Sequence, residues 1–475
     1  MAKPKVALIT YGDEREFEYE KLYKKHTEPR HELAVKTLEG YGFEVVASGG
    51  IARTKPQIDE QVAYIKARGA DALVAHVPCW VSPNMVCRGV ELLGLPTVLV
   101  ANDSPCTHAT VGLLGAGGAL DQIGYDHLRI RKEWDCPDQS QFQKKLVPLV
   151  KAAAAKNAIR GATFGMFGGR SLGIDTGTID PMQWRKLFGV DTEHVDQSEI
   201  LRRAPLVEAG RVERMREFFA SKAKCINFDG EKLTPEKLDY QIRCYLATKD
   251  IIREKGLDFI ALKCMPDMTV NHVAQCLSAA FLPPPFDGEG DKPVTPTACE
   301  ADADAALTCQ MLKELTGGTP TWFADVSHID MEAKTIYFPN CGGMCAWYAA
   351  RSACPEENMK NIELRFANRP AGGASTFFWA APGKVTLARL TRRAGRYVMT
   401  VFPGTMRTLS DEEVNRWIEA RGVHQLPTAY IDVDIDLDKL VDTFGSNHMA
   451  GVAGDCVEEL VRLCGLYGIP CEFMK

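Results

Sequence analysis

The 475-residue sequence has no uninterrupted apolar run near the about 20 residues that a membrane helix requires, which argues against a spanning segment. It also lacks a polybasic stretch. Lys and Arg total 56 against 62 Asp and Glu, a net charge of −6, so neither nucleic acid nor an anionic membrane is an expected partner. No CxxC pair occurs among the sixteen cysteines, which excludes a zinc ribbon and a thioredoxin-type redox site. Scattered through apolar segments, the cysteines read as small buried hydrophobes in a reducing compartment, and so does the closest pair, Cys341 and Cys345 in NCGGMC. The ten histidines give no HxH or HExxH spacing, which leaves no zinc-peptidase reading. The loop GMFGGRSLGIDTGTID (165–180) lacks both the GxxxxGK[ST] lysine and the GxGxxG spacing, so no nucleotide cofactor is expected and the loop reads as lining a site. The start, MAKPK, runs straight into KVALIT without the apolar core of a signal peptide, and the expected location is cytoplasmic.

What is present is a repeated alternation of short β-branched runs and helical patterns, the mark of βαβ units and parallel sheets. A first set comprises KVALIT (5–10), FEVVAS (43–48), DALVAHV (71–77) and TVLVA (97–101). A second comprises ATFGMFG (162–168), LDFIALK (257–263), TPTAC (295–299) and TWFADV (321–326). Beyond about residue 329, segments such as TIYFPN, IELRFA, STFFWA, KVTLARL and RYVMTVF alternate with Gly and Pro turns, as in an antiparallel sheet or barrel, and a helix is predicted over 455–467. The expected fold is two doubly wound α/β domains followed by a β-rich, barrel-like C-terminal domain, with divisions 1–155, 156–333 and 334–475.

Ligands in open parallel sheets sit beyond the carboxyl ends of the strands. Three strands of the second set end on Lys263, Glu300 and Asp325. Paired carboxylates there can hold a divalent metal and move protons, although Glu300 can equally cap the helix that follows it. His448, among small residues in FGSNHMAGVAGD (444–455), can approach a metal without obstruction, and Asn447 beside it offers hydrogen bonds. Trp80 in HVPCWVSP can stack on a sugar ring or make an oligomer contact. Arg15 in YGDERE can orient a hydroxyl or an anion, or belong to a solvated loop.

Taken together, PTACEADADAALTCQMLKELTGGTPTWFADV, GGRSLGIDTGTIDPMQWRKLFGVDTEHVD, HVPCWV, YFPNCGGMCA and FGSNHMAG resemble the L-fucose isomerase and L-arabinose isomerase family, on the fucose isomerase side, over nearly the whole chain. The resemblance implies a metal-dependent aldose–ketose isomerase working through a cis-enediol, usually a hexamer. By it Glu300 and Asp325 would be Mn²⁺ ligands and the acid/base pair, and His448 the third ligand, with Mg²⁺ or Co²⁺ as alternatives. The two-Glu, two-His set of arabinose isomerases is not matched. Asn447 would contact the sugar, and Trp80 would cover the site of a neighbouring subunit, which makes a homo-oligomer, hexamer or trimer, the expected assembly. Two departures bear on the substrate: the chain is shorter than typical fucose isomerases, and Lys263 stands where they carry a neutral Gln. A cation there favours an anionic sugar such as sulfoquinovose or pairs with a neighbouring acid. A metal-assisted epimerase or lyase, and a sugar-binding protein without turnover, are the competing expectations.

Overall fold

The computed structural model describes residues 3–421 and 426–474. The chain forms two compact units, Met1–Ala158 with Glu458–Leu466, and Ile159–Val457 with Tyr467–Lys475. In the first, β1 (Lys5–Thr10), β2 (Glu44–Val46), β3 (Ala72–Val77), β4 (Thr97–Ala101) and β5 (His127–Arg131) make a parallel sheet of order β2-β1-β3-β4-β5. Alternate residues enter two separate cores: Ala7, Ile9, Leu73 and Ala75 on one face, and Val6, Leu8, Ala72 and Val74 on the other. Burial on both faces is why β3 reads ALVAHV without polar alternation. The C-terminal helix, Val457–Tyr467, lends most of its length to this unit, with Lys151 Nζ 3.2 Å from Glu459.

The first half of the second unit carries β6 (Thr163–Phe167), β7 (Asp191–Val195), β8 (Cys225–Ile226), β9 (Phe259–Leu262), the short hairpin β10 (Phe286–Asp287) and β11 (Gly290–Asp291), and β12 (Thr297–Cys299). Four of these form a parallel sheet of order β12-β9-β6-β7. The second half supplies β13 (Thr321–Asp325), β14 (His328–Asp330), β15 (Thr335–Pro339), β16 (Glu363–Phe366), β17 (Ala374–Phe377), β18 (Gly383–Arg393), β19 (Arg396–Met406), β20 (Thr428–Asp432), β21 (His448–Ala453) and β22 (Cys471–Phe473). An antiparallel path runs β13-β21-β18-β19-β20-β15-β14, with β22 added parallel to β19, while β17, β16 and β8 make a small third sheet. The molecule is thus α/β, with parallel sheets and a β-rich, largely antiparallel region.

One strand sits elsewhere than its sequence suggested. TWFAD of β13 does not extend the second parallel sheet; it pairs antiparallel with β21, placing Asp325 directly across from His448. Its first four residues are buried, and an apolar run of that kind carries no signal for which sheet it joins. All sixteen cysteines are free thiols, as their dispersal implied.

The second unit is braced by a partly buried charge cluster. Arg211 reaches Asp250 at 2.7 Å and Glu289 at 2.6 Å; Lys249 reaches Asp287 at 2.5 Å and Glu289 at 3.0 Å. Hydrogen bonding to Arg211 takes the Glu289 carboxyl from 4.5 to about 2. A depressed carboxylate stabilises the fold above its unfolded value and loses that contribution as pH falls toward the folded one. Urea denaturation of Glu289→Gln beside the wild type is therefore expected to give a stability gap that is fully open above pH 4.5 and closes as pH falls toward 2. A gap that stays constant over that window would remove Glu289 from the acid-sensitive bracing.

Candidate metal centre and active site

The site is built where the end of β12 meets the β13–β21 pair. Immediately after β12, Glu300 and Ala301 both adopt left-handed backbone, with φ of 57° and 56°. That region costs a residue with a Cβ about 1–2 kcal/mol, and such strain recurs where geometry serves a site. The double turn lets Ala301 N–H donate to Leu262 O at 3.2 Å and Asp302 N–H to Cys299 O at 3.2 Å. Helix Ala303–Leu315 then starts from Asp302, whose side chain accepts from Ala305 N–H. The capping role considered for Glu300 thus belongs to Asp302, two residues on, and the Glu300 side chain turns to His448 instead.

His448 is fully buried at the start of β21, against the Phe323 ring at 4.6 Å. Its Nε2 lies 3.1 Å from Glu300 Oε2 and 3.4 Å from Asp325 Oδ1, and Asn447 Nδ2 is 3.0 Å from the same nitrogen. One atom from each of Glu300, Asp325 and His448 falls within 4.8 Å of the others. Exposure is graded across the three: the Asp325 side chain is 37% accessible, Glu300 10% and His448 0%. The group is open to solvent on the Asp325 side and closed behind the imidazole.

Residues outside the sequence prediction hold this arrangement. Asp302 Oδ2 accepts from His448 Nδ1–H at 2.7 Å, which fixes the ring and turns Nε2 toward the two carboxylates. On its other oxygen Asp302 takes Arg389 Nη1–H at 2.8 Å; both side chains are wholly buried. Burial alone would raise Asp302, but the Arg389 charge and the His448 bond outweigh it and take the carboxyl from 3.8 to about 2. Burial likewise opposes a charge on His448, and its bonds to Asp302, Asp325 and Glu300 override it, holding the imidazole well above 6.5. In the first turn of the helix, Asp304 is pushed up to about 7 by burial and receives Tyr397 Oη–H at 3.1 Å and Arg392 Nε–H at 3.0 Å. The glycine-rich loop 165–180 touches this apparatus: Thr176 O accepts from Arg389, and a Cβ on Gly177 would come within 2.9 Å of Asp302 Cα. The sequence signal for these partners was the alternation of acids in EADAD and an arginine inside the apolar run VTLARLT, which nothing but a buried counterion explains.

The other predicted site residues divide between the units. Asn447 is at the centre. Lys263 follows β9, whose last residue Leu262 pairs with Cys299 of β12, and its Nζ is 2.5 Å from Asp267. Trp80 and Arg15 belong to the first unit, where the guanidinium lies 4.8 Å above the indole and is held by Asp13 at 2.6 Å. The structure brings these two together with each other and not, within the described residues of its own unit, with an acid–histidine group.

The chain is similar to known proteins over most of its length. Residues 338–475 match the family model for the L-fucose isomerase C-terminal domain. Sulfoquinovose isomerase of Priestia aryabhattai is 24% identical over 434 residues, 90% of this chain and 91% of the relative. Sulfoquinovose isomerases of Alkalicoccus urumqiensis and Clostridium sp. (strain MSTE9) are each 23% identical, over 70% and 77% of this chain and 70% and 76% of theirs. The chain is thus similar to sulfoquinovose isomerases over most of its length and to L-fucose isomerases over its C-terminal part. Among solved structures, the periplasmic binding protein component of the arabinose ABC transporter from Shewanella sp. ANA-3 overlaps at a TM-score of 0.17 and 12% identity, over 66% of this chain and 86% of that one. A superposition of that quality carries no argument.

The donor set suits a divalent cation: two carboxylates and one imidazole converge, and their mutual repulsion is relieved by a positive ion that also replaces the proton on Nε2. Asp302→Asn is expected to lower Mn²⁺ affinity about 10- to 100-fold in a calorimetric titration, because His448 loses the carboxylate that orients it. Unchanged affinity would show that the ring holds its position without Asp302.

Proposed function

We propose that Glu300, Asp325 and His448 hold one divalent cation, Mn²⁺ before Mg²⁺ or Co²⁺, and that the isomerase interconverts the aldose and ketose forms of a sulfonated hexose such as sulfoquinovose. The metal reading rests on one observation, the meeting of these three side chains from two different sheets within 4.8 Å. The substrate reading is supported by the relatives named sulfoquinovose isomerase and by the cation Lys263 at the end of β9, the strand that neighbours β12. The bound cation would act as a Lewis acid toward charge developing on the sugar oxygens.

The chain's own groups perform the proton transfer. One of the two carboxylates removes the proton at C2 of the open-chain aldose, and a carboxylate returns it at C1, with a cis-enediol between the two steps. Asp325, the more accessible of the pair, and Glu300, almost enclosed, stand on either side of Nε2 and differ in their contact with water. Asn447 donates a hydrogen bond to a sugar oxygen. Asp302 and Arg389 keep the imidazole from turning away. No nucleotide cofactor is needed, since the electrons stay within the sugar.

The domains of this reading are two doubly wound α/β parts, 1–155 and 156–333, and a barrel-like part, 334–475, with β13 and β14 lent by the second to the sheet of the third. A cytoplasmic homo-oligomer, hexamer or trimer, completes it, with Trp80 and Arg15 of one subunit covering a neighbour's site. Their stacked pairing within the first unit, while the triad belongs to the second, supports that division of labour. Among the described residues no helix is long and apolar enough to cross a membrane.

EDTA-treated enzyme incubated with sulfoquinovose in D₂O should be silent, and added Mn²⁺ should restore ketose formation with deuterium at the transferred position. A product epimeric at C2, or one cleaved, would replace isomerisation by epimerase or lyase chemistry. Glu300→Gln and Asp325→Asn should each lose about 10²- to 10⁴-fold in kcat. Either variant retaining more than about a tenth of wild-type turnover would remove that residue from the acid/base role.

A further inference from the structure

The cations around the centre are nearly all committed to acids. Arg389 is held by the buried Asp302 that also binds the imidazole, and Arg392 by Asp304. Lys263 is matched by Asp267, and Arg170, on the glycine-rich loop, by Asp175. Arg369 is the exception. It is partly buried and makes no ion pair with a carboxylate among the described residues; its one long side-chain bond is Nη1–H to Asn368 O at 3.4 Å.

Its backbone is fastened to the segment that follows β9. Ala371 N–H donates to Thr269 O at 2.9 Å, and Ala274 N–H donates to Gly372 O at 3.1 Å. Ala367 packs with Cys264, Ala274 and Cys276. Gly372 and Gly373, with φ of 75° and 102°, make the tight return into β17, where buried Gln241 accepts from Ala374 N–H at 2.6 Å. A chain of short contacts leads from there to the metal ligands: Cys276 Sγ is 3.8 Å from Cys341 O, and Cys341 Sγ is 3.7 Å from Cys299 Sγ, one residue before Glu300. Burial raises both the Cys264 and Cys276 thiols, the Arg369 charge opposes that rise in each, and the Glu300 charge adds to it in Cys264.

We infer that Arg369 receives the anionic group at the far end of the sugar, an assignment that rests on the sulfonated-hexose reading above. The reacting end, C1 and C2, belongs at the acid–histidine group, so an anion on the opposite end of an open-chain hexose needs a cation set to one side of it. A guanidinium offers two parallel N–H donors that match two oxygens of a tetrahedral oxyanion, and a cation already neutralised by a neighbouring acid offers less attraction. Held on a stapled turn, Arg369 loses little freedom on binding. A sulfonate and a phosphate monoester present the same oxygen geometry, so the chemistry admits either.

The Mn²⁺-loaded wild type, Arg369→Gln and Arg369→Lys should be compared on three sugars of one stereochemistry: sulfoquinovose, glucose 6-phosphate and the neutral 6-deoxyglucose. Arg369→Gln should lose about 10²-fold in kcat/KM on the preferred anionic sugar, mainly through KM, and change less than about 3-fold on the neutral one. Arg369→Lys should recover part of the loss. Calorimetric binding of sulfoquinovose to the EDTA-treated proteins should show the same loss without turnover. Preference for the phosphate, lost in Arg369→Gln, would keep the role of Arg369 and overturn the sulfonated substrate. Equal KM and equal binding in Arg369→Gln and wild type, with sulfoquinovose still preferred by both, would overturn Arg369 and leave the substrate reading standing. A wild type that does not discriminate between charged and neutral sugars would overturn both.

Discussion

Everything at the centre depends on Asp302 accepting from two cationic partners at once. One oxygen faces Arg389 and the other His448, and none of the three side chains is accessible to water. Removing a partner from a buried pair leaves an uncompensated charge, with a cost of about 3–5 kcal/mol. The same carboxylate starts helix Ala303–Leu315, so the ring orientation, the helix origin and the packing of β18 through Arg389 are tied to one residue. An imidazole fixed in this way has a single direction in which its second nitrogen can point.

That direction is where two sheets with different rules converge. β12 belongs to a parallel sheet and ends in a strained turn; β13 and β21 are antiparallel neighbours, and their register sets Asp325 opposite His448. A parallel sheet delivers residues from its carboxyl edge, whereas an antiparallel pair delivers them across a ladder. Combining the two brings residues 300, 325 and 448 together over a span of sequence that neither sheet could cover alone. The left-handed backbone at Glu300 and Ala301 is stabilised by the bonds to Leu262 and Cys299 and by the helix that follows.

Charge around this point is layered. Arg389 and Arg392 are consumed by Asp302 and Asp304, so the cations needed to hold the acids in place are not those facing the substrate side. Trp80 and Arg15 form their own stacked pair in the first unit, supported by Asp13. Aromatic and cationic surface of that kind can serve a sugar only where a second element supplies the reacting groups.

The class of the fold, most strand positions and the three acid–histidine residues were legible in the sequence, because buried parallel strands leave unbroken apolar runs and polar residues at their ends stand out. KVALIT, TVLVA and TPTACE carry that signal directly. TWFAD carried it equally well and yet joined the antiparallel sheet, since an apolar run states that it is buried and not which partner it pairs with. Lys263 was legible as a cation at the end of a buried strand, but its pairing with Asp267, one turn onward, depended on how the chain leaves β9. Asp302, Arg389 and Asp304 were visible only as acids near a helix start and a basic residue in a strand; their buried contacts join residues about ninety apart and, through His448, nearly 150 apart. Local pattern by itself determined the elements and the chemical types at their ends. Only the tertiary structure decided which of those groups meet, because meeting depends on long-range register and on the burial that makes an unpaired charge too costly to leave.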